Sequence, residues 1–232
     1  MAKQEFVDIA NTSEGWNFGV YPSLLESSLY SFSHRPAKGA GFQISVLERS
    51  FASAVCALAA FQIEGMLQKI SLLQGSGDNR DSILKLVTKT KQKTAVIELF
   101  VVRDVIAHGH IYKTTLQLKK DGFPKSSHST KLTKYESKDF KQVVSRNKTK
   151  LLSFNVNPAR IDFCDAVLAV AVANVLYKEL KGRTKDMAIN KFVEGSGYDT
   201  KYFDSYVQDL IKGLDKNRAK VVKNKLKKID QI

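Results

Sequence analysis

The chain has 232 residues, 43% of them hydrophobic and 26% charged, and a formal net charge of +14 at pH 7. That balance excludes a disordered chain and suits one large domain, or one domain carrying an insertion. The positive excess points to polyanionic partners, nucleic acid first and acidic membrane or protein surfaces second. Cys56 and Cys164 fall inside apolar helical runs, with neither metal-ligand spacing nor a disulfide framework, and read as buried small hydrophobes. The N-terminal segment lacks the basic-then-apolar layout of a signal peptide, and the apolar block 166–173 is too short to span a bilayer. A cytoplasmic chain without a membrane span is the expectation.

Residues 1–43 are rich in Ser, Gly and aromatic side chains and read as an N-terminal extension with one short helix. That helix starts at Pro22, with Leu24, Leu25, Ser28, Leu29 and Phe32 at helical spacing. A long helix follows over 44–73, where Leu47, Phe51, Ala54, Leu58 and Phe61 form a stripe. Val55, Ala57 and Ala59 make its middle apolar nearly all round, the pattern of a central helix or of one facing a partner chain. The turn beginning at Gly75 ends it, and Asp78 or Asp81 caps a further helix over about 82–90. A basic polar patch at 89–94 then leaves open whether this helix and the apolar run 95–107 are two helices or one interrupted helix. Gly109 is the expected stop.

From Ile111 the period changes to two, which reads as a strand. Residues 111–150 hold ten lysines and Arg146 against Asp121, Glu136 and Asp139, a net +8 and the most basic stretch of the chain. This is a hairpin-bearing insertion over 111–156, with a return strand expected at 151–154. Asn157-Pro158 then starts a helix that reaches about Leu180. A short helix over 184–193 precedes an amphipathic helix over 202–214 and a lysine-rich one over 215–229. The whole reads as a single domain, a mainly α helical bundle with a small basic β-hairpin insertion and basic C-terminal helices over 198–232.

The densest chemistry lies at the end of the apolar run, where Arg103, Asp104, His108, His110 and Tyr112 crowd around Gly109. On a helix Asp104 and His108, four residues apart, can touch, so the carboxylate is placed to orient the imidazole. Arg103 and His110 share a face only if the helix persists through Gly109. Arg103 and His108 point about 140° apart on an ideal helix. Their joint action requires the helix to end at His108, or a second chain to close the site. An arginine, a histidine and a carboxylate suit phosphodiester cleavage without metal. The histidine moves the proton of a ribose 2′-hydroxyl or of the leaving oxygen, and the arginine fork holds the phosphate. Tyr112 is suited to stack on a base or donate a hydrogen bond.

Arg103-Asp104-Val-Ile-Ala-His108 resembles the signature of the HEPN superfamily of helical ribonucleases and toxins. That signature is an arginine, four to six residues, then a histidine, with Asn, Asp or His following the arginine. Arg103 to His110 fits it as well, and His110-Ile-Tyr112 is similar to the His-x-Tyr ending of members paired with nucleotidyltransferase antitoxins. With the four-residue spacing His110 stands where that ending has tyrosine, so the choice between His108 and His110 stays open. The resemblance implies a bundle of four or more helices and a homodimer whose motifs face each other. It also implies metal-independent RNA cleavage with no cofactor, in toxin or anti-phage defence systems with an antitoxin or regulatory protein as possible partner. It covers the motif and, loosely, the helices from 44 to 181.

Plainer readings stand beside this one. The histidines suit helix-terminal caps, Arg103–Asp104 a surface pair, and His108-x-His110 two zinc ligands without their partners. His34 and His128 read as solvated loop residues. If the first long helix lines an interface, Glu64 or Arg49 joins the shell of the site. The lysine runs at 119–120 and 223–228 read as solvated faces or as phosphate-tracking surfaces whose affinity falls with salt. The alternative function is a non-catalytic basic helical module that binds nucleic acid or a partner protein.

Overall fold

Apolar residues repeating at helical spacing give a mainly helical fold, with two two-stranded sheets among the described residues, one of them only two residues per strand. The computed structural model describes residues 12–35, 44–76, 79–108, 112–121, 124–131, 137–183 and 200–232. In chain order these form α1 (Thr12–Ser33), α2 (Val46–Leu73), α3 (Arg80–Lys85) and α4 (Thr90–Ala107), then β1 (Tyr112–Leu118) and β2 (Pro124–Lys131). There follow α5 (Lys138–Val143), β3 (Val144–Ser145), β4 (Lys148–Thr149), α6 (Phe163–Arg183), α7 (Thr200–Lys212) and α8 (Lys216–Leu226).

The centre of the bundle is α2, which packs against α1, α4 and α6, while α6 also takes α7 and α8. Ser45 caps α2 by accepting from the Glu48 N–H at 3.0 Å, and Gly75 ends it with φ +68, a conformation that costs glycine little. Ala52, Val55, Cys56, Ala59, Ile63 and Leu67 of α2 are fully buried. Among the described residues α2 is the one helix apolar and long enough to cross a membrane, and half of its most apolar window is buried inside the bundle. Small side chains at 52, 56, 59 and 60 let the neighbouring helices close in on it, and burying so much apolar surface is the main stabilising term.

Several boundaries differ from those read in the sequence, each for a local reason. Pro22 lies inside α1, which begins ten residues earlier at Thr12 and gives up one backbone hydrogen bond at the proline. Asn79, not Asp78 or Asp81, caps α3, its side chain accepting from the Ser82 N–H at 2.9 Å; Asp78 lies outside the described residues. The stretch 80–107 is two helices, and most of the basic patch 89–94 forms the first turn of α4. Asn157-Pro158 opens only a 3₁₀ turn, Pro158–Arg160. The long helix waits for Asp162 and Asp165, which accept from each other's backbone N–H at 3.2 and 3.3 Å in a reciprocal cap. The helix expected over 184–193 lies outside the described residues.

The return strand expected at 151–154 is absent: Ser153 stands at φ +59, outside extended backbone, and Glu98 takes the N–H groups before it. This fully buried α4 carboxylate accepts from the N–H groups of Leu151 and Leu152 at 2.7 and 2.8 Å, so those groups are spent on a side chain and not on a ladder. Burial pushes the Glu98 carboxyl up, and these hydrogen bonds pull it back. The short β3–β4 hairpin beside it turns through Arg146 and Asn147, both at positive φ, the geometry of a tight two-residue hairpin loop. The longer β1–β2 hairpin is antiparallel, with Tyr112 opposite Lys131 and an irregularity at Gln117/Leu118.

Candidate functional site

On α4, Val96, Leu99, Phe100, Val101, Val102 and Val105 are buried, which leaves Arg103 and Asp104 on the rim facing α2 and α3. The Arg103 side chain is 12% exposed. Its Nη1 donates to Glu64 Oε2 on α2, while Nε and Nη2 both donate to Asp104 Oδ1 at 3.1 and 2.9 Å. The guanidinium lies over two rings, 5.2 Å from the Phe100 centroid and 5.4 Å from that of Phe61. Three of its five N–H groups are engaged, and two remain for a ligand. Glu64 thus enters the cluster, whereas among the described residues no hydrogen bond or ion pair brings Arg49 to it.

Arg80, at the start of α3, carries no signal in the sequence. Its Nη1 lies 3.6 Å from Asp104 Oδ2 and its Nη2 2.9 Å from Asp139 Oδ2, and its guanidinium is 5.2 Å from the same Phe100 ring. One carboxylate therefore sits between two guanidiniums. Nε and Nη2 of Arg80 are buried without a hydrogen-bond partner, so the Asp139 contact is an ion pair by distance but poorly aligned as a hydrogen bond.

His108 is exposed and ends α4 with φ −94 and ψ 4, its N–H donating to the Asp104 carbonyl at 2.9 Å. The helix thus stops one residue before Gly109. Because φ −94 is only about 30° from the helical value, the helix end leaves most of the divergence between Arg103 and His108 in place. Among the described residues no hydrogen bond or ion pair joins the His108 ring to Arg103 or to Asp104, whose carboxylate is turned to the two arginines. Gly109, His110 and Ile111 lie outside the described residues, and of Tyr112 only the backbone, at the start of β1, is described. Among the described residues no group of three or more His, Cys, Asp or Glu side chains is placed to hold a metal.

No family model matches the chain, and no curated protein or solved structure does. The assignment of chemistry rests on the residues themselves.

A second charged cluster, unforeseen in the sequence, joins the end of α1 to α2, α6 and α8. Arg35 Nε donates to the fully buried Glu48 carboxylate at 2.7 Å, and Arg35 Nη2 reaches Asp162 at 3.4 Å. Glu48 also accepts from the Phe163 N–H at 3.1 Å. Asp165, likewise fully buried, accepts from Asn155 Nδ2 at 2.6 Å and pairs with Lys225 of α8 at 2.8 Å. Every group here is held by another, so the cluster reads as a fastening of the C-terminal helix. Cys56 and Cys164 lie beside it, free and buried, and burial with the nearby carboxylates pushes both thiols up, away from reactivity.

Burial, then the charge of Asp165, pushes the Asp162 carboxyl from 3.8 to about 6, against the pull of Arg35. A carboxyl raised in the folded chain binds its proton more tightly there than when unfolded. Its stabilising contribution is therefore full below about pH 4 and is lost as the pH rises through about 6, on the order of 3 kcal/mol. Asp162→Asn keeps an oxygen for the Asp165 N–H and removes the titration. In urea unfolding the variant is expected to gain on the wild type between about pH 4 and pH 8. A stability difference that does not change with pH would contradict this account.

Proposed function

We propose that the chain is a metal-independent endoribonuclease of HEPN-like type, acting as a toxin or anti-phage effector in the cytoplasm. Arg103 holds the scissile phosphate, and His108 or His110 moves the proton of the 2′-hydroxyl or of the leaving oxygen. Asp104 and Glu64 keep the guanidinium in place, and Tyr112 contacts the RNA. The observation that carries this reading is a guanidinium fixed by two carboxylates and two rings at a helix end that carries an exposed imidazole. Attack by the 2′-oxygen on the phosphate expels the 5′-oxygen, so the products carry a 2′,3′-cyclic phosphate and a 5′-hydroxyl.

The remaining divergence of Arg103 and His108 favours a site completed by a second copy. The outward side of α2 supports that. Leu47, Phe51, Ala54, Leu58 and Phe61 repeat at alternating four- and three-residue steps, the spacing of a helix–helix seam. Leu47, Phe61 and Leu72 are 63, 51 and 62% exposed, and Phe61 lies directly under Arg103.

The test is RNA digestion by pure protein in EDTA, with His108→Ala, His110→Ala and a DNA strand of the same sequence alongside. Wild-type cleavage, an intact DNA strand and loss of about a hundredfold or more in one histidine variant are expected. RNA loss that is equal in all three proteins would sink the assignment. Sedimentation is expected to give a dimer, and a stable 25.9 kDa monomer would remove the two-copy site.

A second reading, a module that binds nucleic acid or a partner protein without chemistry, is favoured by how far Glu64 and Asp104 already neutralise Arg103. It requires salt-dependent binding with no cleavage, and indifference to both histidine variants.

A further inference from the structure

We infer that Arg80 is a second RNA-binding cation of this site, gripping the sugar–phosphate backbone beside Arg103; the inference rests on the nucleic-acid reading above. The two arginines come from different helices, 23 positions apart, yet both guanidiniums stand 5.2 Å from the Phe100 centroid. Both also reach for Asp104, Arg103 at Oδ1 and Arg80 at Oδ2. Bringing two like charges to one ring and one carboxylate is unfavourable unless anions hold them there.

The anions present serve the two arginines unequally. Arg103 makes three hydrogen bonds to Glu64 and Asp104. Arg80 has its Nη1 at 3.6 Å from Asp104 and its Nη2 at 2.9 Å from Asp139, an ion pair by distance, but its buried Nε and Nη2 make no aligned hydrogen bond. A buried donor left without a hydrogen bond is costly, so the fold keeps at this spot a cation that its own chain pairs by charge but does not satisfy in hydrogen bonding. The Arg80 side chain is 33% exposed while Nε and Nη2 are buried, so an incoming ligand meets the guanidinium at Nη1. A phosphodiester oxygen accepts from a guanidinium N–H in a charge-assisted hydrogen bond, which is among the stronger kinds. A polynucleotide strand supplies phosphates in series, one for Arg103 and the next for Arg80. Contact of this kind reads no bases, so it adds affinity without sequence preference.

The experiment measures binding of a fluorescent single-stranded RNA by the full chain in a His108→Ala, His110→Ala background, which removes both candidate proton carriers, across a salt series. Adding Arg80→Gln is expected to weaken binding about tenfold and to lower the slope of log K against log salt by about 0.7, the share of one phosphate contact on a single strand. Adding Arg80→Lys, which keeps the charge but not the fork, should hold the slope and lose only part of the affinity. Thermal unfolding of each variant separates lost contact from lost fold, and a purely structural role would leave the slope unmoved in folded protein. Unchanged affinity and slope in Arg80→Gln would overturn the role of Arg80 alone. Absence of RNA binding by the double-histidine parent and by the wild type would overturn it together with the nucleic-acid reading.

Discussion

Arg103→Lys is expected to lower RNA cleavage by about two to three orders of magnitude, the cost of one misplaced donor to a transition-state phosphate, with little change in stability. The expectation follows from how the side chain is held. Nε and Nη2 sit together on Asp104 Oδ1 while Nη1 turns to Glu64, so the guanidinium plane is fixed by two helices. An ammonium keeps the charge but is a point donor, with no plane for Glu64 and Asp104 to orient and a weaker stack on Phe100 and Phe61. Stability should hardly change because Glu64 and Asp104 are each about a quarter exposed and water takes over where the fork leaves them. The measurement is single-turnover cleavage beside a melting curve. Cleavage by Arg103→Lys within a few-fold of wild type would show that the arginine works only as a charge, and a collapse of the melting temperature would make it a structural residue.

The parts of this architecture visible in the sequence are those written in local patterns. The stripe from Leu47 to Phe61, the Gly75 turn, the lysine-rich helix beginning near Asp215 and the alternation after Ile111 each depend on residues within a few positions, and each appears in the fold close to its place in the sequence pattern. Two other features depend on residues far apart. Glu98 takes the N–H groups of Leu151 and Leu152, more than 50 positions away, and nothing near Leu151 announces that. Arg80 falls just before the helix expected over 82–90 and carries no signal until the fold places it over Phe100, 20 positions on. The motif itself was legible as a cluster of residue types, but the partner of Asp104 was not. Four-residue spacing allows a contact with His108, and two positively charged forks compete for the same carboxylate more strongly than one exposed imidazole.

The lysine run over 223–228 reads as one solvated or phosphate-tracking face, yet Lys225 stands apart from its neighbours. Its side chain is 16% exposed, it pairs with the fully buried Asp165 at 2.8 Å, donates to the Ser153 carbonyl and lies 5.8 Å from the Phe154 ring. Asp165 keeps its contacts with Asn155 and the Asp162 N–H, but those are neutral donors, and Lys225 brings the cation that offsets the cost of burying the charge. Lys225→Ala is therefore expected to cost about 3–5 kcal/mol in urea unfolding, the range for leaving a buried charge without its partner. Replacing other lysines of α8, such as Lys223, should change stability by no more than about 0.5 kcal/mol. The double variant Lys225→Met with Asp165→Asn removes both charges while keeping the aliphatic stem over Phe154 and an amide for Asn155. It is expected to recover most of the loss, because a buried pair is worth far less than the damage done by breaking it. A Lys225→Ala variant as stable as wild type would mean that α8 is held by the packing of Val222 and its neighbours and not by the ion pair. A double variant no better than the single one would place the loss in the Ser153 contact instead.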